Sequence, residues 1–202
     1  MLRKAIVVSR DPEGKLASHV ASLDRLRRAL SLPLAPERPD ALPSFCELWG
    51  EEGELQRAVA SWPFPARAWL VAEHTPVDYQ RSWPSGMPSP GVRLVSNLFR
   101  RPGASRREFE AHWLGPHARI AWSYTVPVWR YSQNVVVRAL TEHDGEDGFV
   151  GMHFRTLEEL ESRWRDHPDE AERGAADAAL FLDVPRSVSI RARETVWDAS
   201  SE

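Results

Sequence analysis

Apolar and polar positions along the first eighty residues predict alternating strands and helices. Short apolar runs without helical spacing predict strands at residues 4–9, 44–49 and 66–74. Between them, apolar residues three or four positions apart predict two helices, the first over residues 15–30. The two apolar stripes consist of Leu16, Val20, Leu23, Leu26 and Leu30, and of Leu55, Ala58, Val59 and Trp62. The predicted order is strand, helix, strand, helix, strand, and the proline-rich residues 31–43 leave room for one more strand.

The second half of the chain shows a similar order of patterns. Apolar or alternating segments predict strands at residues 91–99, 128–140, 149–154 and 186–197. Ser105 with Glu108, and Thr156 with Glu159, match the capping-box pattern, so each pair predicts the start of a helix. A further, alanine-rich helix is predicted over residues 170–181. The residues of the helix after Thr156 that are expected to face the sheet are Leu157, Leu160 and Trp164.

Residues 81–91, "RSWPSGMPSPG", hold three prolines and two glycines and predict a break in regular structure. We divide the chain there into residues 1–80 and 92–202, with 81–91 as the linker. The halves form a weak repeat, since "FCELWGEEGEL" (45–55) and "FVGMHFRTLEEL" (149–160) hold the same place in each. Each half is predicted to be an antiparallel sheet with helices on one face, and its other face is expected to pack on the other half. The fold class is therefore α+β.

Composition excludes several classes of partner. The 26 basic and 29 acidic residues are spread along the chain and give a net charge of −3, so nucleic acid is not an expected partner. No apolar run is long enough for a signal peptide or a membrane span, which predicts a cytoplasmic protein that does not bind membranes. Cys46 is the single cysteine and is interpreted as a buried small hydrophobe. The common metal and phosphate motifs are absent from the sequence, so neither a metal nor another cofactor is predicted.

The stretch "EFEAHWLGPHARIAW", residues 108–122, carries the strongest candidate chemistry. His112 and His117 are five residues apart, which separates them by about 140° on a regular helix. Pro116 removes a helical donor and Gly115 loosens the turn, so a kink is expected to rotate His117 toward the side of His112. Imidazole titrates near neutral pH, so such a pair can take and return a proton. The structural alternative is that His112 satisfies a backbone carbonyl and His117 caps a helix end.

Residues 92–197 resemble the EthD family. The resemblance rests on "RRPGASRREFEAHWLGPHARIA" (100–121), "WRYSQNVVV" (129–137), "DGFVGMHF" (147–154) and "AADAALFLD" (175–183). It implies a dimeric α+β barrel built from ferredoxin-like subunits, here closed as a pseudo-dimer within one chain, with the first half as a degenerate copy. In that copy His19 stands where His112 does, while Asp24 replaces the second histidine.

The resemblance also implies a range of activities. Members of the family look like cofactor-free dehydratases, decarboxylases or cyclases of aromatic and polyketide-like compounds. Cousins with the same barrel include cofactor-independent monooxygenases of phenols, and larger relatives bind haem. All share a cavity between sheet and helices, which is expected here in the second half. Haem is kept as a minor alternative because it needs a larger cavity.

Three further candidates lie on predicted strands. His153 is expected to face the barrel interior if its neighbours Met152 and Phe154 pack under the helices. Tyr131 and Asn134 are an odd number of residues apart and point to opposite faces, so at most one of them is expected to line the cavity. A packing role is the alternative for Tyr131.

The leading hypothesis is a cofactor-independent acid/base enzyme of the lyase, dehydratase, decarboxylase or cyclase type, acting on a small hydrophobic carbonyl or aromatic compound. In it His112 is the base or acid, His117 orients or shuttles the proton, and Tyr131 or His153 polarises an oxygen. The predicted substrate-binding residues are Phe109, Trp113, Trp129 and Asn134. One alternative is a non-catalytic accessory protein that binds a hydrophobic intermediate of an oxidative degradation pathway, and another is a cofactor-free monooxygenase. A homodimer of the fused barrel is left open.

Overall fold

The computed structural model describes residues 3–10, 15–34 and 43–200, which form a closed antiparallel β-barrel with helices packed on its outer face. The strands are β1 (Arg3–Ser9), β2 (Arg27–Pro33), β3 (Ser44–Gly50), β4 (Ala66–Val77), β5 (Val92–Leu98), β6 (Arg130–Ala139), β7 (Gly148–Phe154) and β8 (Ser189–Trp197). The α-helices are α1 (Leu16–Ser22), α2 (Glu52–Ala60), α3 (Arg106–His112), α4 (Ala118–Trp122), α5 (Leu157–Arg165) and α6 (Pro168–Ala178). A π-helical turn, Trp113–His117, joins α3 to α4, and a 3₁₀ turn, Val184–Arg186, precedes β8.

The strands follow the order β1-β3-β2-β8-β5-β7-β6-β4 around the barrel. The first four strands are therefore arranged β4-β1-β3-β2, and the last four are arranged β8-β5-β7-β6, which is the same order. Pairing of β2 with β8, and of β4 with β6, joins the two sets and closes the barrel. The predicted combination of antiparallel strands and helices is confirmed. Among the described residues, no helix is long and apolar enough to cross a bilayer.

The predicted helix over residues 15–30 is wrong in its second half. Helix α1 ends at Ser22, and the chain then forms strand β2, paired with β3 and β8. Leu26, directly before β2, and Leu30, within β2, are four residues apart, a spacing that fits one face of an extended chain as well as one face of a helix. The side chain of Arg28 donates to the carbonyls of Val20 and Ala21 at the end of α1, so the helix terminus is satisfied by the strand that follows it.

Most other predicted elements agree with the structure. Ser105 and Glu108 form the complete capping box that begins α3. Thr156 caps α5 through the amide of Glu159, but the Glu159 carboxylate accepts the amide of Arg155 instead of that of Thr156. Leu160 is buried and Trp164, although partly exposed, lines the space between helix and sheet, whereas Leu157 is exposed, so the prediction that all three face the sheet is wrong for Leu157. Residues 81–91 form neither helix nor strand, and Cys46 is buried as predicted.

The barrel interior has an apolar region and a charged region. Ile6, Val8, Phe45, Trp69 and Phe149 pack together in the apolar region. The charged region is formed by three cations and three carboxylates from different strands, namely Lys4, Arg93, Arg130, Glu47, Glu73 and Glu194.

Glu47 and Arg93 form the most deeply buried ion pair of this network, and Arg93 also donates to Glu194 at 2.7 Å. Burial by itself would raise the pKa of Glu47. The charges of Arg93 and Lys4 outweigh burial and hold that pKa well below its ordinary value. Glu47 is therefore expected to be ionised at neutral pH.

Candidate functional site

A cavity of about 440 Å³ lies between the sheet and the helices of the second half. Tyr131, Val150 and Met152 from β6 and β7 form its sheet side. The helical side includes Trp113 and His117 of the π-helical turn, Tyr124 after α4, and Arg163 of α5. Its size falls within the range of small-molecule sites, and its walls combine apolar side chains with a few polar groups.

The π-helical turn determines where His117 lies. In a π-helix the backbone hydrogen bond joins residues five apart, so His112 and His117 are about one turn from each other. A regular helix would separate them by about 140°. Pro116, which has no amide hydrogen, lies inside the turn. Gln133 of β6 donates from Nε2 to the carbonyl of Trp113 at 2.8 Å and so anchors the turn to the sheet.

Asp177 of α6 bridges the two histidines. Its Oδ1 lies 3.0 Å from Nε2 of His112, and its Oδ2 lies 2.7 Å from Nδ1 of His117. The ring of Phe181 packs against both imidazoles, with centroid distances of 4.9 Å to each. His117 lines the cavity, whereas His112 contacts the other oxygen of Asp177, outside the cavity wall. Sequence reasoning missed Asp177, although it lies in "AADAALFLD" with two alanines on each side.

The carboxylate of Asp177 selects one tautomer of His117. An ionised carboxylate only accepts hydrogen bonds, so Nδ1 of His117 must carry the proton that it donates. Burial lowers the pKa of His117, and the hydrogen bond and charge of Asp177 only partly oppose this effect. His117 is therefore neutral at pH 7, and its Nε2 carries a lone pair.

Three other predicted residues contribute to this region. Tyr131 and Trp113 line the cavity, and burial raises the pKa of the Tyr131 hydroxyl, which stays protonated at neutral pH. Phe109 is fully buried behind the cavity, where its ring packs against Trp113 and Phe181. Phe109 thus supports the wall without forming part of it.

Arg163 is a second polar residue of the wall that sequence reasoning missed. Its side chain is fully buried, and its guanidinium lies 4.0 Å from the centroid of the Tyr124 ring. One terminal nitrogen donates to the carbonyl of Ala121 at 2.7 Å, and the other donates to the carbonyl of Val126. Burial lowers the pKa of Arg163 to about 10, which leaves it charged at neutral pH.

The structure does not bring three of the predicted site residues to this cavity. His153 faces the barrel interior, on the opposite side of the sheet, where its Nε2 donates to the carbonyl of Pro90 at 2.8 Å. Asn134 also points inward and donates to the carbonyl of Phe149. Trp129 lies with Tyr79 near His153 at the barrel end. Alternation along β7 and β6 separates His153 and Asn134 from the histidine pair, whereas Trp129 lies just before β6.

The donor set of the region bears on possible cofactors. Among the described residues, no group of three or more His, Cys, Asp or Glu side chains is placed to hold a metal ion. A haem iron needs a single imidazole, and His117 Nε2, with Asp177 on the other ring nitrogen, has the arrangement common to ligating histidines. If haem were bound here, His117 would supply the imidazole that holds its iron.

Comparison with known proteins identifies the fold. No family model and no curated protein matches the chain. An anthrone oxidase-like protein of known structure superposes with a TM-score of 0.70 at 12% identity, covering 99% of this chain and 94% of that chain. A mutant chlorite dismutase from Candidatus Nitrospira defluvii gives a TM-score of 0.50 at 9% identity, covering 96% and 90%. The chain thus has the dimeric α+β barrel fold, and the resemblance to the EthD family stays a prediction.

Proposed function

We propose that this protein is a cofactor-independent acid/base enzyme that acts on a small hydrophobic carbonyl or aromatic compound, with His117 as its base. The observation that carries the proposal is the His112–Asp177–His117 array, whose cavity end is a neutral imidazole. The sequence assigned the base to His112. The geometry favours His117 as the base and His112 as the positioning residue, because His117 is the histidine that lines the cavity.

The reaction begins with proton abstraction from a carbon next to a carbonyl group. Nε2 of His117 takes the proton, and the electron pair of the C–H bond moves to the carbonyl oxygen to form an enolate. Asp177 accepts from Nδ1 and stabilises the imidazolium that forms. His112 positions Asp177 from its other oxygen. Return of the proton to another atom, such as a departing hydroxyl, completes an isomerisation or a dehydration.

The cavity wall supports this chemistry in two ways. Apolar side chains such as Trp113, Val150 and Met152 exclude water from a flat ligand. The protonated hydroxyl of Tyr131 can donate to a substrate oxygen, the role predicted from the sequence. The residues Phe109, Trp129, Asn134 and His153 have no part in the proposed step.

The architecture proposed with this function is a fused pair of ferredoxin-like halves related to the EthD family. The matching strand orders of the two sets support the proposal. In the first half, His19 stacks edge-on against Trp62 at 4.8 Å, and burial lowers its pKa. We assign the active cavity to the second half alone. The barrel closes within one chain, so a further homodimer is not needed to complete it.

Hydrogen exchange tests the proposed step without knowledge of the final product. α-Tetralone, a bicyclic aromatic ketone, is incubated with the protein in heavy water, and loss of its α-proton signals is followed by NMR. We expect the wild-type protein to accelerate the exchange and His117→Ala to lose about 10²- to 10⁴-fold of that acceleration. His74→Ala is the matched control, because His74 is exposed on β4.

Two outcomes would contradict the proposal. If His117→Ala retains wild-type exchange, His117 is not the base. If a panel of aromatic ketones and phenols binds tightly but no member exchanges or is consumed, the accessory-protein alternative is correct. An absorption spectrum of the purified active protein, measured with no metal or haem added, checks the cofactor prediction.

A cofactor-free oxidation is the second candidate, favoured by the whole-chain likeness to the anthrone oxidase-like protein. In that reaction His117 takes a proton from the methylene carbon of an anthrone, and the carbanion reacts with molecular oxygen. The resulting peroxide anion takes up the proton, and the hydroperoxide so formed loses water, which leaves a quinone. Anthrone and phenols are the probes, and an oxygen electrode is the measurement. Oxygen uptake that depends on His117 would favour this candidate, whereas full turnover under argon would exclude it.

A further inference from the structure

Arg163 places a permanent positive charge in the wall of the cavity. The residue is fully buried, and it lines the cavity together with Tyr124 and Trp164, whose rings lie beside the guanidinium. Its two terminal nitrogens are held by the backbone carbonyls of Ala121 and Val126. Its Nε has no hydrogen-bond partner within the part of the chain that the structure describes.

No carboxylate among residues 3–10, 15–34 and 43–200 forms an ion pair with Arg163. The acidic side chain with an electrostatic effect on it is Glu170, whose carboxylate instead accepts the amide and hydroxyl of Thr125 at 2.9 and 2.7 Å. Arg93, the buried arginine of the barrel interior, differs from Arg163 because it forms ion pairs with both Glu47 and Glu194. A buried charge without a counter-ion is costly, and an anionic ligand removes that cost.

We propose that Arg163 forms an anion subsite, so that the ligand of this cavity carries a carboxylate or another anionic oxygen on its hydrophobic body. The inference rests on the proposed function in one respect, namely that the reacting end of the ligand lies at His117. The apolar body lies against Trp113 and Met152, and the anionic oxygen accepts from the Arg163 guanidinium. The substrate class is thus an aromatic carbonyl acid or a phenolate.

Binding of a matched pair of probes tests this subsite. β-Naphthoate and β-naphthamide have nearly the same shape and differ in charge, and both can be titrated by quenching of tryptophan fluorescence. The titrations use the full chain, as wild type and as His117→Asn, so that binding is measured without turnover. We expect the anion to bind about 10- to 100-fold more tightly than the amide, as a charged hydrogen bond implies.

Substitutions identify the residue responsible. Arg163→Gln is expected to abolish the preference for the anion, and Arg163→Lys to retain part of it. Arg173→Gln is the matched control, because Arg173 is an exposed arginine beside the same Tyr124 ring and donates to Ser123. It is expected to leave the preference unchanged.

Several results would overturn the subsite. Equal binding of the two probes to the wild type would do so even if the Arg163 variants did not fold. The subsite would also be refuted if folded Arg163→Gln still bound the anion more tightly than the amide. Folding of this variant is checked by circular dichroism and by binding of the amide. A preference for the anion, with no exchange or consumption of any aromatic ketone or phenol of the panel, would leave the subsite standing and refute the acid/base function. Exchange without a preference for the anion would do the opposite.

Discussion

The Asp177→Asn substitution is the most direct test of how the histidine array works. It keeps the shape of the side chain but removes the charge and one of the two acceptor oxygens that face His112 and His117. If the new amide group faces His117, it donates to Nδ1 and moves the imidazole proton to Nε2. His117 would then present a donor to the cavity instead of a base.

The expected magnitudes follow from these contacts. Loss of a correctly oriented general base costs about 10²- to 10⁴-fold in rate. The structural cost is smaller, since one hydrogen bond to a charged group contributes about 1.5 to 3 kcal/mol. For a chain of this length, a loss of about 2 kcal/mol lowers the Tm by about 4 to 8 °C. The variant is therefore expected to remain folded at room temperature.

The direction of the pH effect distinguishes this role from general damage. Asp177 raises the pKa of His117 against the larger, opposing effect of burial. Without Asp177 the pKa of His117 falls further, so the acid limb of the rate profile moves to lower pH while the maximum rate falls. A merely loosened site would lower the rate without this shift.

The assay is the exchange of α-tetralone between pH 5 and 8. Glu172→Gln is the control, because Glu172 is an exposed carboxylate on the same helix. The reasoning is refuted if folded Asp177→Asn exchanges within about twofold of the wild type. It is also refuted if the acid limb moves to higher pH.

Three further predictions concern pH and packing. For the wild type, burial lowers the pKa of His117 below the ordinary histidine value of 6.5, so kcat/KM should fall with acid only below that pH; an acid limb above 7 would contradict this. Glu47→Gln should lose about 3 to 5 kcal/mol in urea unfolding at pH 7, because it leaves Arg93 under-compensated. Because folding depresses the pKa of Glu47, the ionised carboxylate stabilises the folded state above the unfolded pKa near 4.5, and this stabilisation is lost as the pH falls below that value. The free energy of unfolding of the wild type should therefore fall more steeply between pH 5 and 3 than that of Glu47→Gln. Gly174→Ala should cost about 1 to 3 kcal/mol, because the added methyl group overlaps the Tyr124 hydroxyl; thermal unfolding in a Tyr124→Phe background should show a smaller cost, and equal costs would refute the contact.

Local patterns in the sequence determined much of the fold. Alternating and β-branched runs predicted the strands around 4–9, 44–49 and 149–154, and Ser105 with Glu108 predicted the start of α3. These signals involve neighbouring residues, so they are readable without the fold. Pro116 between two histidines likewise indicated an irregular helix, which the structure shows as a π-helical turn.

Only the tertiary structure decided which residues share the cavity. Asp177 lies 60 residues after His117, and Arg163 reaches the carbonyl of Ala121 from 42 residues away, so neither contact has a local signal. The spacing of Leu26 and Leu30 fits a helix and a strand equally well, and pairing of residues 27–33 with β3 and β8 selected the strand. Strand pairing also fixed which face of the sheet is inside the barrel, and so separated His153 from the histidine pair. Sequence periodicity assigns residues to faces, but packing of distant segments decides what each face meets.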